Sequence, residues 1–457
     1  MVPITLLKLV ENNSFLSTLS SLYHSNGFEL YLVGGAVRDG ILDIPTNDFD
    51  FTTNATPDES IELLKKNNYK TTEVGKAFGT IELYDQKRAV HITTFRKDTY
   101  ETDSRNPEIE KATDLVTDLS RRDFTINSIA YSLETKELID PFLGLKDLAS
   151  GTISTPDDPI ISFSDDPLRM LRVCRFVSTH GFSPENETYI AMKENIERIK
   201  IITQERIRDE INKLLVGKSP SMGIRTLVES GLCLYIIPEI NELKIEVDPK
   251  HHHKDVYEHT LAVLDAVQPK LTLRMGALLH DIAKPNTKGI ENGKVHFRHH
   301  EVVGARMTKK ILKELKYDKK TIEDIVLLVE QHLRPHTFKM GWTDSAVRRY
   351  IVDAGHMLED LNQLVRADVT TKNKTKAKEI YENLDEMEKR IEEVKAKEEL
   401  SKIRPALSGD EIMEYFNIQP GPKVGVIMKA LYEQRLNEGE VSKEDALKLA
   451  EETYKNL

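Results

Sequence analysis

The chain has 457 residues, 30% of them charged and 39% hydrophobic, with a formal net charge of −11. That length supports two to four domains with cores of their own, and the acidic balance excludes a protein coated in basic surface, so any nucleic-acid contact must use local patches. Two cysteines, Cys174 and Cys233, argue against a disulfide framework and for a reducing cytoplasm, and no run of about 18 apolar residues could cross a membrane. The opening MVPITLLKLVENNSFLSTLSSLYHSNG lacks the basic flank, apolar core and cleavage site of a signal peptide and instead has the apolar spacing of an amphipathic helix.

The next stretch, LYLVGGAVRDG, reads as a buried strand ending at Gly34-Gly35 and followed by a helix. Free backbone N–H groups at such a turn form an anion-binding concavity. In NDFDF, side chains two apart share a face of a strand, so Asp48 and Asp50 point one way while Phe49 and Phe51 enter the core. Two adjacent carboxylates repel unless a cation lies between them, and divalent metals at such a pair commonly serve phosphoryl or nucleotidyl transfer. The plainer reading is a half-solvated edge strand. The runs LYLV, FDFTT, KTTEV, GTIELY and AVHITTF, with a helical ESIELLKKN, predict an α+β domain with a small sheet. YETDSRNPEIEKATD is polar and without period, which predicts a mobile loop, and DPFLG reads as a turn.

From SFSDDPLRMLRVCRFVSTHGF onward the pattern is helical, with a stop at Gly181, and Pro238, Pro249 and HHHKD mark a boundary near residue 250. Asp166 and Arg169, three apart on a helix, share a face. A carboxylate beside a guanidinium mimics the pairing edge that cytosine and adenine recognise, while the alternative is that Asp166 only caps the helix before Pro167. The segment 251–370 carries most of the histidines, with His280 and Asp281 adjacent after an apolar run on a helix, able to reach one ion together. Beyond the basic TKNKTKAK, Ile380, Leu384, Met387, Ile391 and Val394 step by four and three along a charged helix, followed by a short helix, a Pro-Gly-Pro turn and a final helical pair.

Together, LVGGAVRD with DFD, RRDFTINSIAY, DPFLGLKDL, DDPLRMLRVCRF and QERIRDEI resemble the class II tRNA nucleotidyltransferases, the CCA-adding enzymes and their poly(A) polymerase relatives. DVYEHT, LLHDIAKP, RHHEVVGA, WTDSAVRRY and IQPGPKVG resemble the bacterial branch that carries an HD domain. The resemblance implies an α+β chain: a small mixed-sheet, polymerase-β-like head at 1–150, a helical neck and body at 151–250, a helical HD domain at 251–370 and a helical tail at 371–457. It implies template-independent addition of CCA to tRNA from CTP and ATP, with no DNA and no membrane as partners. Asp48 and Asp50 would hold Mg²⁺, Gly34, Gly35 and Arg38 would lie along the phosphates, Asp123 beside Arg122 would recognise the ribose hydroxyl, and Asp166 with Arg169 would choose the base. His259, His280, Asp281, His300, His332 and Asp368 would bind a divalent metal for hydrolysis of phosphoester ends, with His299 as a substitute for His300. His91 stands where relatives often carry an acid, so it takes over that role or the role is dispensable; a satisfied, half-buried histidine is the commoner explanation for any lone His. An A-adding enzyme or poly(A) polymerase, a phosphohydrolase with a binding-only head, and a non-catalytic RNA-binding scaffold are the rival readings.

Overall fold

The structure, a computed structural model, describes residues 2–73, 75–85, 88–99, 108–244, 255–292, 294–370, 373–397 and 404–457. The expected boundary at HHHKD and the start of the TKNKTKAK tract lie outside the described residues. The chain divides into two units, Met1–Asn241 and Glu242–Leu457.

The first unit is built on a mixed sheet. Its strands are β1 (Leu30–Val33), β2 (Phe49–Thr53), β3 (Thr71–Thr72), β4 (Thr80–Asp85), β5 (Arg88–Thr94), β8 (Ala130–Ser132) and β9 (Glu137–Ile139), in the order β3-β4-β5-β2-β1-β8-β9. Within this sheet, among the described residues, only the β2/β5 pairing is parallel. Phe49 and Phe51 are 1% exposed, as the alternation of NDFDF predicts. Thr56 and Glu59 form a reciprocal capping box that starts the helix Pro57–Lys66.

One expectation is corrected. The segment read as a loop contains β7 (Glu108–Lys111), which pairs antiparallel with β6 (Arg96–Thr99). A polar strand has no apolar period to betray it, and Lys97 faces Glu110 across the ladder. Residues 100–107 of that loop lie outside the described residues. Beyond β9, Asp140 accepts from the backbone N–H of Gly144 (2.7 Å) and Leu145 (2.9 Å) and so caps the helix Gly144–Ser150. Gly144 is required there, because a Cβ would stand 2.3 Å from the Thr125 carbonyl oxygen. The DPFLG and RRDFTIN motifs therefore touch through bare backbone.

Helices complete this unit, among them Pro159–Asp165, Leu168–His180, Gln204–Leu215 and Pro220–Glu229. Gly181, left-handed at φ 73°, ends Leu168–His180 as the sequence suggested. Among the described residues the second unit is helical apart from a hairpin, Lys288–Glu291 with Lys294–Phe297, that apolar patterning did not anticipate. Of the expected stripe, Leu384, Met387, Ile391 and Val394 are buried along the helix Lys374–Lys397, while Ile380 is half-buried. A capped helix Gly409–Phe416 and the pair Pro422–Glu438 and Lys443–Lys455 follow.

Phe51→Ala should destabilise the sheet by about 3–5 kcal/mol, whereas Asp48→Asn, at a side chain 78% exposed, should cost almost nothing. Amide hydrogen exchange across β1 and β2 measures both.

Candidate metal centres of the two units

Strand register assembles the first centre. Glu82 on β4 faces His91 on β5, His91 faces Asp50 on β2, and Asp50 faces Val33, the last residue before the glycine turn. His91 Nδ1 lies 3.4 Å from Asp50 Oδ1 and 3.9 Å from Asp48 Oδ1, while its Nε2 lies 3.9 Å from Glu82 Oε1. One donor atom from each of Asp48, Asp50 and His91 falls within 4.8 Å of the others, so these three can hold a cation. Partial loss of water and then the charge of Asp50 push the Asp48 carboxyl up, and the hydrogen bond to Asp50 raises His91.

Gly34 has φ 69° and ψ −134°, a conformation costly for any residue with a side chain. A Cβ there would lie 3.2 Å from Arg122 Nη1 and 3.8 Å from Asp50 Oδ2, so the turn is where Arg122 and the acidic pair approach each other. Arg122 is anchored on Asp118 at 3.2 Å, and Arg121 on the same carboxylate at 2.8 Å. Asp118 is fully buried and also accepts from Thr52 Oγ1 at 3.0 Å. Burial opposes its charge, but the two arginines hold its pKa down. The sequence reading did not single out Asp118.

Asp123 turns away from Arg122 into a different pair. Arg172 donates Nε to Asp123 Oδ2 at 2.7 Å and also contacts it through Nη2, and Asn127 Nδ2 donates to Oδ1 at 2.9 Å. Asn127 in turn accepts from Arg38 Nη1 at 2.6 Å. A continuous polar chain thus runs from the helix after the glycine turn to the helix Leu168–His180. Burial works against the Asp123 charge, yet Arg172 and Asn127 hold its pKa far below the usual carboxylate range. Arg172 and Asn127 went unrecognised, although Asn127 lies inside RRDFTIN and Arg172 is one helical step beyond Arg169.

The expected placement of Asp166 is corrected. It lies between two helices with φ −129° and ψ 95°, not on the helix with Arg169. The reason is Pro167, whose ring excludes the helical region for the residue before it. Asp166 Oδ1 accepts from the Leu168 N–H at 3.2 Å, so the capping alternative describes one of its oxygens. Arg169 donates to Ser162 Oγ (2.6 Å) and to the Arg121 carbonyl (2.5 Å), and its own N–H bonds the Asp166 carbonyl (3.0 Å). The two residues still share one turn.

The second unit gathers all six expected residues. His259 Nε2 lies 2.9 Å from Asp368 Oδ1 and 3.3 Å from His280 Nε2, and His300 Nε2 lies 3.3 Å from His332 Nε2. Nδ1 of His280, His300 and His332 faces the carbonyl three residues earlier, at 2.8, 2.7 and 2.7 Å. A carbonyl only accepts, so Nδ1 carries the proton and each Nε2 presents a lone pair inward. Lone pairs brought nose to nose need a cation or a proton between them, which is the chemistry of a metal site. Asp281 divides its oxygens: Oδ2 lies 3.2 Å from His280 and 3.4 Å from His259, and Oδ1 lies 3.2 Å from His300 and 3.9 Å from His332. Oδ1 is buried without a hydrogen-bond partner. The donors fall into two sets, His259, His280 and Asp368, and Asp281, His300 and His332. His280 and Asp281 occupy the turn after Leu271–Leu279 and not the helix itself, close enough to share one ion as expected, and Asp281 also stands between the two sets.

Without a metal, burial opposes the His280 charge, but Asp281 and then Asp368 push its pKa up to about 10. Burial, then the His280 cation, pushes His332 down to about 3. His299 is 81% exposed and takes no part. His251 to His253 lie outside the described residues. The sequence reading missed His336, 3.4 Å from Asp368 Oδ2, and Lys284, 2.5 Å from Asp281 Oδ2. Both line a cavity of about 390 Å³ beside the centre, together with Phe297 and Lys376.

The family model described as Poly A polymerase head domain matches residues 30–154, that for the probable RNA and SrmB-binding site of polymerase A matches 181–244, and the HD domain model matches 256–369. A CCA-adding enzyme of Geobacillus sp. (strain WCH70) is 30% identical over 91% of this chain and 90% of its own length. An A-adding tRNA nucleotidyltransferase of Deinococcus radiodurans is 30% identical over 88% of this chain and 91% of its own. The chain belongs to the tRNA nucleotidyltransferase family. The Bacillus stearothermophilus CCA-adding enzyme in complex with CTP shares the nucleotidyltransferase fold, with a TM-score of 0.70 at 24% identity, covering 96% of this chain and 97% of that one.

Arg172→Met should strand the buried Asp123 carboxylate and destabilise the first unit by about 3–5 kcal/mol, seen as faster hydrogen exchange in Leu168–His180. Because the folded pKa of Asp123 lies below its unfolded value of about 4, this stabilisation is complete above that pH and is lost as pH falls. For the second unit, metal analysis of the purified chain should show His300→Ala losing one ion while the His259, His280 and Asp368 set keeps its own.

Proposed function

We propose that this nucleotidyltransferase adds C, C and A to the 3′ end of tRNA, using CTP and ATP and no nucleic-acid template. What carries the reading is the acidic pair Asp48 and Asp50 beside the Gly34 turn, on one face of the head sheet, in a chain related along nearly its whole length to tRNA nucleotidyltransferases. Asp48 and Asp50 would hold Mg²⁺. When bound, that ion lowers the pKa of the primer 3′-hydroxyl and offsets charge on the triphosphate and the departing pyrophosphate.

The remaining roles belong to the chain's own groups. The Gly34-Gly35 backbone lets the phosphates approach closely, and Arg38 and Arg122, fixed by Asn127 and Asp118, flank them with positive charge. Asp123, held by Arg172 and Asn127, orients the ribose hydroxyl. Arg169 donates to a ring nitrogen while Asp166, through the oxygen its cap leaves over, accepts from an exocyclic amino group. Cytosine and adenine offer that pair of groups and uracil and guanine do not. In the second unit, the two donor sets, His259, His280 and Asp368 with Asp281, His300 and His332, would hold divalent metal, which would supply an acidified water for hydrolysis of a phosphoester end of RNA. The head at 1–150, neck and body at 151–250, HD domain at 251–370 and tail at 371–457 are the proposed division of labour, with cytoplasmic tRNA as the shared substrate. Both cysteines are free and buried, which suits that compartment. Among the described residues no helix is long and apolar enough to cross a membrane.

Addition of A alone is the second reading, favoured by the Deinococcus relative of equal identity. Incubation with tRNA lacking its terminal CCA and each labelled nucleotide separates them. CTP and ATP should both be incorporated, in three steps; ATP alone would select the A-adding reading, and incorporation of UTP or GTP would reject the pairing role of Asp166 and Arg169. Asp50→Ala should abolish transfer and spare hydrolysis by the second unit, and Asp281→Ala should do the reverse.

A further inference from the structure

We propose that His91 is the third protein ligand of the head metal centre, oriented by Glu82 behind it. This rests on the reading that Asp48 and Asp50 hold a metal there. The imidazole stands between two kinds of carboxylate on one row of the sheet. Its Nδ1 faces Asp50 at 3.4 Å and Asp48 at 3.9 Å, and its Nε2 faces Glu82 at 3.9 Å. Donor atoms bound to one divalent ion at about 2.1 Å are spaced roughly 3 Å apart, so Nδ1 and the aspartate oxygens need only small shifts to share an ion. At 3.9 Å Glu82 is short of a hydrogen bond to Nε2, and the same small shift that brings Nδ1 onto the ion would close it, with the proton on Nε2 and the lone pair of Nδ1 toward the metal.

Glu82 is itself fixed. Its Oε2 accepts from Thr72 Oγ1 at 3.0 Å, on the strand paired beyond it. Backbone ladders on both sides set the line Thr72, Glu82, His91, Asp50, so the imidazole reaches the acidic pair by register and not by a flexible arm. A set of two carboxylates and one imidazole is softer than an all-oxygen set, and nitrogen ligation favours Mn²⁺ over Mg²⁺. The head centre of this chain is therefore tuned toward Mn²⁺ by a residue that sits outside the DFD motif.

The test uses the full chain carrying Asp281→Ala, which removes the shared carboxylate of the histidine-rich centre, loaded with Mn²⁺ alone. Mn²⁺ titration gives the number of ions, and pulsed electron paramagnetic resonance detects nitrogen bound to them. Adding Asp50→Ala should remove one ion. Adding His91→Ala should abolish the nitrogen modulation belonging to that ion and weaken its binding. His91→Asp should restore binding without the nitrogen signal, which separates ligand loss from misfolding. Glu82→Gln should weaken Mn²⁺ binding about 10–100-fold. If Asp50→Ala removes an ion while His91→Ala leaves both modulation and affinity unchanged, His91 is not a ligand and the head metal stands. If Asp50→Ala removes no ion, the head metal reading itself falls, and the role of His91 with it.

Discussion

The partly buried ion pair between Asp123 and Arg172 is the constraint on which the first unit's site depends. A carboxylate and a guanidinium largely shielded from water are stable when each satisfies the other, and here Asn127 also holds the carboxylate while the charge of Glu210 favours the Arg172 cation. Asn127 carries the network to Arg38 at the glycine turn, and Arg172 lies one helical step from Arg169. The proposed phosphate and base positions are thus referred to one hydrogen-bonded frame. Preorganised polar groups cost no rearrangement when charge develops, which is the main electrostatic lever available to a transferase. Asp118 plays the matching part for Arg121 and Arg122, tying them to β2 through Thr52.

Much of this was legible in the sequence, for physical reasons. The alternation in NDFDF has the period of a strand, so the outward acids and inward aromatics follow from two-residue geometry alone. The stripe Leu384, Met387, Ile391 and Val394 has the helical period and is buried accordingly. The error at Asp166 came from extending a helical pattern through a proline, although a proline pushes its predecessor into extended backbone. Partners such as Arg172 for Asp123, 49 residues away, leave no local pattern to read. The strand β7 was invisible because its neighbours are charges and not an apolar face.

The second unit reaches its metal chemistry by another route. Three imidazoles are held by the same device, an Nδ1–H bonded to the carbonyl three residues earlier, at helix ends and turns. The lone pairs then converge without any need for strong electrostatic steering, and Asp281 supplies one oxygen to each donor set. The head relies mainly on the carboxylates of Asp48 and Asp50, open to solvent, with a single imidazole beside them. Imidazole-rich donors favour borderline ions and carboxylate-rich donors favour hard ones, so the two centres can be filled by different metals in the same cell.

The most direct measurement is the structure of the full chain crystallised with CTP and Mg²⁺. The triphosphate should lie over Gly34 and Gly35 with metal density at Asp48 and Asp50, the ribose against Asp123, and the cytosine amino group and ring nitrogen on Asp166 and Arg169. A triphosphate at the acidic pair with the base away from Asp166 and Arg169, or CTP bound elsewhere in the chain, would contradict the single-frame arrangement.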